Sequence, residues 1–342
     1  MRYIFSKLKP LVNVFVFTEK AIFFVLALAL ATLCLNSTAQ NLQIGGSFPS
    51  KPIQFIVPFP PGSATDMAAR VISQPLSVLL GQPIVVENKP GASGSIGAME
   101  VIRAAPDGYT LLFASNSAVA SNVALLKKIP YDPNKDFTPV VGIGETALVL
   151  MVKANSPYKN LADLVSSAKQ RPGKVSAGFG SSSSQICIGT LNKLAGLDVL
   201  PIPYKGIPLA VNDVVGGTLD FTFADIGNAQ AQAKGGTMRA LAISSAKRSP
   251  LAPDWPSASE TLPAFDISAW FAVVGPSGVP REVVEKLSQA MIQILKRNET
   301  REKLASIGLT PMPTPPDQLQ SFISSEIIKW KRIAKDANIE PE

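Results

Sequence analysis

Hydrophobic and polar positions along the chain follow two alternating periods, that of a strand and that of a helix. Ile53–Val57 is an apolar run typical of a buried strand, and Met67, Val71 and Val78 then recur at helical spacing. The same succession returns from residues 84–87 onward. Strands that alternate with helices predict βα units, and therefore an α/β fold with mixed, mostly parallel sheets flanked by helices.

A second set of strand and helix patterns begins near residue 155, and the C-terminal region has the helical period. A chain of 342 residues is longer than one small hydrophobic core requires. We therefore predict two lobes. Residues 48–150 and 272–342 form the first predicted lobe, and residues 151–271 form the second.

The first 39 residues differ from the rest in composition. Basic residues precede an uncharged apolar run at residues 21–35, and small or polar residues end the segment at Ala39. This order is that of a secretory signal peptide, and the run is shorter than the roughly 20 residues of a membrane-spanning helix. We predict cleavage after Ala39; an uncleaved membrane anchor is the alternative. Cleavage would lower the formal net charge from +7 to +4, because the leader carries four basic residues and one acid.

The composition excludes several kinds of chemistry. The chain has no histidine, which excludes a Ser-His-Asp triad and histidine metal sites. Cys34 belongs to the leader, so Cys187 has no partner for an intramolecular disulfide. The sequence contains no block of Lys and Arg residues that would indicate nucleic-acid binding. The glycine-rich residues 91–97 match neither G-x-G-x-x-G nor a P-loop, so no nucleotide cofactor is expected. With no histidine and one cysteine in the mature chain, no metal cofactor is expected either.

Two loops share one design, each following a predicted strand and opening a predicted helix. They are residues 59–66 and residues 178–184, both rich in small and hydroxyl-bearing side chains. A helix N-terminus presents unpaired N–H groups and partial positive charge, so it binds anions without a cationic side chain. In α/β sheets such loops lie at the carboxyl ends of strands, where ligands bind. Ordinary helix capping is the alternative interpretation of either loop.

Asp66 and Asp225 are acidic residues at the ends of predicted strands. They could form a carboxylate pair for acid–base catalysis. We favour helix capping and hydrogen bonding to an amine or hydroxyl group of a ligand.

Seven segments in order carry a family resemblance from about Phe48 to the end. They are residues 52–66 (PIQFIVPFPPGSATD), 86–97 (VENKPGASGSIG), 105–112 (APDGYTLL), 131–140 (YDPNKDFTPV), 203–206 (PYKG), 241–249 (LAISSAKRS) and 268–276 (SAWFAVVGP). On these segments the chain resembles the Bug-type (Bordetella uptake) receptors, the TctC-like substrate-binding proteins of the tripartite tricarboxylate transporter family.

The resemblance implies a two-lobed periplasmic-binding-protein fold of type II, or Venus flytrap. It implies an extracytoplasmic solute-binding protein rather than an enzyme, exported to the periplasm of a Gram-negative bacterium and monomeric. Its partners would be a small carboxylate (a dicarboxylate, an amino acid or an aromatic acid) and the membrane subunits of a transporter. The expected ligand-binding residues are Phe59, Gly62, Ser63, Ala64, Thr65, Asp66, Ser115, Asn116, Gly180, Ser181, Ser182, Ser183, Ser184, Tyr204 and Asp225.

The chain departs from the family pattern at three positions. Ser63 stands where the first loop usually has glycine, Gln185 follows a run of four serines, and Ile207 follows the PYKG segment where glycine is usual. Pocket chemistry is therefore expected to differ from that of other members, and ligand identity is not carried over.

Two other functions remain open at this point. A closed, liganded form could signal to a membrane sensor kinase instead of feeding a transporter. An exported hydrolase could use a serine of residues 181–184 with Lys205 as base, although no G-x-S-x-G elbow occurs.

Overall fold

The computed structural model describes residues 48–341, so the predicted signal peptide at residues 1–39 lies outside the described residues. The first half contains, in chain order, β1 (Ile53–Val57), α1 (Ala64–Leu80), β2 (Ile84–Asn88), α2 (Ser95–Ile102), β3 (Thr110–Ser115), a π-helical turn (Ser117–Ser121), α3 (Asn122–Leu125) and β4 (Phe137–Lys153).

The second half continues the alternation of strands and helices. It contains α4 (Leu161–Gln170), β5 (Ser176–Phe179), α5 (Ser182–Ala195), β6 (Leu200–Pro203), α6 (Ile207–Gly216), β7 (Phe221–Asp225), α7 (Ile226–Lys234), β8 (Met238–Ile243), β9 (Ser268–Pro276), α8 (Arg281–Leu295), α9 (Asn298–Ser306), β10 (Thr310–Pro311) and α10 (Pro316–Asp336).

The strands form a mixed sheet in the order β2-β1-β3-β9-β4-β7-β5-β6, and β8 and β10 also pair with β4. The outer strands are parallel: β1 pairs with β2 and β3, and β5 pairs with β6 and β7. Every pair made by β4 is antiparallel. Among the described strands, four pairs are parallel and five are antiparallel, so the sheet is mixed but not mostly parallel as predicted, because β4 and β9 make only antiparallel pairs. The parallel strands are those joined through helices, as the βα pattern of the sequence predicts.

β4 changes neighbours along its 17 residues. From Phe137 to Ala147 it pairs with β9, and from Leu148 to Lys153 it pairs with β7 and β8. The buried Ser244 hydroxyl lies at this change. It accepts a hydrogen bond from Leu148 N at 2.9 Å and donates one to Ile267 O at 2.6 Å. One side chain thus joins β4 to the segment that enters β9.

The hydrophobic core follows this sheet. One large cluster of buried residues combines strand side chains with the C-terminal helix, where Trp330 is fully buried. The Glu326 carboxylate accepts hydrogen bonds from the indole N–H groups of Trp270 and Trp330, at 2.8 and 3.0 Å. A smaller cluster packs α6 and α7 against the second part of β4. Among the described helices, none has both the length and the apolar character to cross a membrane.

Candidate functional site

The loop between β1 and α1 is held by its own helix cap. Ser63 is the N-cap residue, and its hydroxyl accepts a hydrogen bond from Asp66 N at 3.3 Å. Gly62 has φ +80°, a conformation that favours glycine. Its N–H donates to the Asp66 carboxylate at 3.0 Å. This cap satisfies the third N–H of α1, and the preceding N–H groups of Ala64 and Thr65 have no partner within the helix.

The loop between β5 and α5 has a reciprocal cap. The Ser181 hydroxyl accepts from Ser184 N at 3.2 Å, and the Ser184 hydroxyl accepts from Ser181 N at 3.1 Å. Gly180 N also donates to the Ser184 hydroxyl, at 3.2 Å. These bonds engage the hydroxyl and the N–H group of Ser184, and they fix the position at which α5 begins.

The end of β3 joins these two loops. The Asn116 amide is fully buried and donates to the Ser183 hydroxyl at 2.9 Å. Ser182 N donates to the Ser117 hydroxyl at 3.2 Å, and the Ser182 hydroxyl donates to Asn122 Oδ1 at 2.6 Å. The π-helical turn that carries Ser117 is a form of helix often found at functional sites. Hydrogen bonds therefore connect the start of α5 directly to the end of β3.

A cavity of about 30 Å³ lies where these segments meet. A volume of this size holds about two water molecules. The cavity is thus much smaller than a typical ligand pocket of about 300–1,000 Å³. The lining residues are Phe59, Ser63, Ala64, Thr65, Ser115, Asn116, Ser117, Gly180, Ser181, Ser183, Ile207, Ala269, Phe271 and Asp225.

Ten of the fifteen predicted site residues line this cavity. The other five, Gly62, Asp66, Ser182, Ser184 and Tyr204, do not, and four of them belong to the caps and bridges described above. The Tyr204 hydroxyl donates to the Asp213 carboxylate, and this bond raises the pKa of Tyr204 to about 12. Tyr204 is therefore bonded to Asp213 rather than placed in the lining of the cavity.

Four lining residues were absent from the prediction. Ser117 follows two predicted residues, so adjacency was the available signal. Ile207 is one of the three departures from the family pattern, which was its signal in the sequence. Ala269 and Phe271 lie on β9 and become lining residues through the pairing of β9 with β3 and β4, which no local pattern reveals.

Asp66 is an organising residue of the first loop. Its carboxylate accepts hydrogen bonds from Gly62 N, from Arg70 Nε at 3.0 Å and from Asn88 Nδ2 at 3.0 Å. Burial of Asp66 opposes ionisation, but the hydrogen bonds from Arg70, Gly62 and Asn88 outweigh it and lower the pKa of the carboxyl group. Because Asp66 does not line the cavity, the structure does not bring Asp66 and Asp225 together there as an acid–base pair.

Asp225 is the ionisable side chain among the lining residues, which include no lysine or arginine. Burial raises the pKa of its carboxyl group, although a hydrogen bond from Asn228 opposes this shift. Among the lining residues, the groups able to supply positive potential are the backbone N–H groups at helix starts, each helix contributing about half an elementary charge. The arrangement suits one anionic group bound by amides and hydroxyls.

The arrangement does not support a serine hydrolase. Lys205 is exposed and does not line the cavity. The Ser182 hydroxyl donates to Asn122, and the Ser184 hydroxyl belongs to the cap of α5. Within residues 48–341, no group of three or more His, Cys, Asp or Glu side chains is placed to hold a metal ion.

Comparisons with known proteins agree on one family. Residues 68–339 match the model of the tripartite tricarboxylate transporter family receptor. The chain is 38% identical over 297 residues to protein BugT of Bordetella pertussis, covering 85% of this chain and 90% of that protein.

Solved structures give the same result. An R. palustris protein, Rpa4515 with adipate, superimposes with a TM-score of 0.84 at 32% identity, covering 86% of this chain and 100% of that one. The periplasmic binding protein BugD superimposes with a TM-score of 0.82 at 30% identity, with the same coverage of 86% and 100%.

Proposed function

The chain belongs to the family of tripartite tricarboxylate transporter receptors, which are solute-binding proteins and not enzymes, and from this premise we propose that it captures a small carboxylate and delivers it to a membrane transporter. The site for this capture is the cavity between the starts of α1 and α5. The protein acts in the periplasm after removal of residues 1–39.

The convergence of helix starts carries this proposal. α1, α5 and α7 all begin at residues that line or adjoin one cavity: Ser63, Ser181 and Asp225 are their N-cap residues. Helix N-termini bind carboxylates through backbone N–H groups and the helix dipole. Hydroxyl groups of the lining serines and Thr65 supply further hydrogen bonds. A carboxylate needs no lysine or arginine in such a site.

Capture proceeds by the closing of two lobes on the ligand. The proposed lobes are residues 48–150 with 272–342, and residues 151–271, as the sequence predicts. β4 and the segment that enters β9 connect them, and Ser244 ties these two connections together. A ligand that contacts both α1 and α5 binds the closed form better than the open form, and so shifts the population toward closure.

A thermal-shift and calorimetric titration of the purified protein tests this function. The panel contains dicarboxylates, amino acids and aromatic acids, with the corresponding amides as uncharged controls. A ligand that binds only the folded state adds about 2.7 kcal/mol of stability at 100 times its Kd. We expect at least one carboxylate to raise the Tm in a concentration-dependent way, and its amide to have no effect.

Two variants locate the binding. Ala269→Leu places a larger side chain in the cavity and should abolish the response to the carboxylate. Ala231→Leu makes the same change at an exposed position of α7 and should leave the response intact. Absence of binding by every carboxylate to the folded protein, or an unchanged response in Ala269→Leu, would contradict the proposal.

A further inference from the structure

Asp225 occupies an unusual position for a residue at the start of a helix. It ends β7 and is the N-cap residue of α7, yet its side chain makes no capping hydrogen bond. An aspartate at this position normally accepts a hydrogen bond from the second or third N–H of the helix. Instead, Asp225 lines the cavity, and its Oδ2 accepts a hydrogen bond from Asn228 Nδ2 at 2.6 Å. Its own backbone N–H is a second donor to this carboxylate, so about half of the roughly four acceptor sites of a carboxylate remain.

The charge balance of the cavity restricts what can bind beside this carboxylate. Four helices, α1, α5, α6 and α7, begin at residues that line the cavity, and their dipoles offer positive potential equivalent to about two elementary charges. The ionised carboxylate of Asp225 offsets about one of them, which leaves a net potential of about one elementary charge. One ligand carboxylate uses most of that potential. A second carboxylate would meet Asp225 in a small, partly dehydrated space with no cationic side chain lining it.

A ligand ammonium group has the opposite effect. It would neutralise Asp225 and donate the hydrogen bonds that this carboxylate can still accept. The raised pKa of Asp225 agrees with this interpretation, because burial without a neighbouring cation disfavours the ionised form, and an ammonium group would restore it.

We propose that Asp225 sets the charge class of the ligand: it accepts hydrogen bonds from a ligand ammonium group, so the site selects small amino monocarboxylates over dicarboxylates. This inference rests on the proposed function and adds a specificity-determining residue to it. The relative solved with adipate is a different chain, so its ligand does not decide the question for this one.

Calorimetric titration with acids matched in carbon skeleton tests the inference. The amino acids are alanine, β-alanine and 4-aminobutyrate. The comparison acids are propionate and butyrate, which lack the amino group, and succinate and glutarate, which carry a second carboxylate in its place. We expect at least one amino acid to bind at least about tenfold more tightly than its matched acids, because a charge-assisted hydrogen bond is lost in each comparison.

The variant Asp225→Asn keeps the shape of the side chain and removes its charge. It should lose at least about tenfold in affinity for the preferred amino acid and lose the discrimination against dicarboxylates. Asp225→Ser, which retains an N-cap residue, repeats the test if the first variant folds poorly. The control variant Asp198→Asn removes one charge from an exposed position just after α5 and should leave ligand selectivity unchanged.

The outcomes separate this inference from the proposed function. Equal or tighter binding of a dicarboxylate to the unaltered protein, or retained amino-acid preference in Asp225→Asn, overturns the role of Asp225 while carboxylate capture stands. Absence of binding by all of these matched acids overturns the inference, and absence of binding by every carboxylate of the wider panel overturns the proposed function as well.

Discussion

The contact between the loops at Gly180 and Gly206 gives the sharpest test of the site geometry. A Cβ atom placed on Gly180 would lie 2.2 Å from Gly206 C and 2.4 Å from Ile207 N. Both are backbone atoms, so no flexible side chain can move aside. Gly180→Ala should therefore push the start of α6 away from the loop that opens α5.

The size of the effect follows from this clash. Non-bonded carbon atoms pack at about 3.5–4.0 Å, so the two loops must separate by about 1 Å or more. Overpacking of this kind costs about 1–3 kcal/mol. In a domain of about 150–250 residues, each kcal/mol lowers the Tm by about 2–4 °C. Because Gly180 and Ile207 both line the cavity, we also expect ligand affinity to fall at least about tenfold.

Urea unfolding measures the change in free energy of unfolding, and calorimetric titration with the carboxylate found in the panel measures the affinity. Gly216→Ala is the matched control, since the nearest atom to its added Cβ is Thr218 Oγ1 at 4.0 Å. This position at the end of α6 should be neutral or slightly stabilised by alanine. If Gly180→Ala unfolds and binds as the unaltered protein does, the close approach of these two loops is wrong.

Three further predictions concern stability and reactivity. The pKa of Asp225 is raised in the folded state, so the stability that its neutral form contributes is fully present below the usual Asp range and is lost as the pH rises. From pH 4 to pH 7 the unaltered protein should therefore lose stability relative to Asp225→Asn. A difference in free energy of unfolding that stays constant across this range in urea would contradict the prediction. In urea unfolding, Ser244→Ala should lower the free energy of unfolding by about 1–3 kcal/mol, because Leu148 N and Ile267 O lose their buried hydrogen-bond partner. The control Ser245→Ala should change the free energy of unfolding little. Cys187 is fully buried, and burial raises the pKa of its thiol, so a thiol reagent should label it only at the rate of unfolding; fast labelling of the native protein would refute this placement.

Much of the fold and the family could be predicted from local pattern. The alternation of strand and helix periods predicted an α/β fold, and the seven motif segments predicted the receptor family; the structural neighbours and the family model confirm both. The two loops proposed to bind an anion were identifiable because small residues and hydroxyls at a strand-to-helix junction have a direct physical meaning. Such signals lie within a few residues of one another, and a single sequence displays them.

Which of those residues meet at one cavity was decided by tertiary structure. Ser181 and Ser183 line the cavity, whereas helix geometry directs Ser182 of the same serine run to Asn122 and Ser184 to the cap of α5. Ala269 and Phe271 reach the cavity because β9 pairs between β3 and β4. The sequence alone determined the elements, the helix starts and the family, because each depends on neighbouring residues. The inner surface of the site depended on contacts between residues more than 60 positions apart, such as Asn116 with Ser183, and only packing of the whole chain sets those contacts.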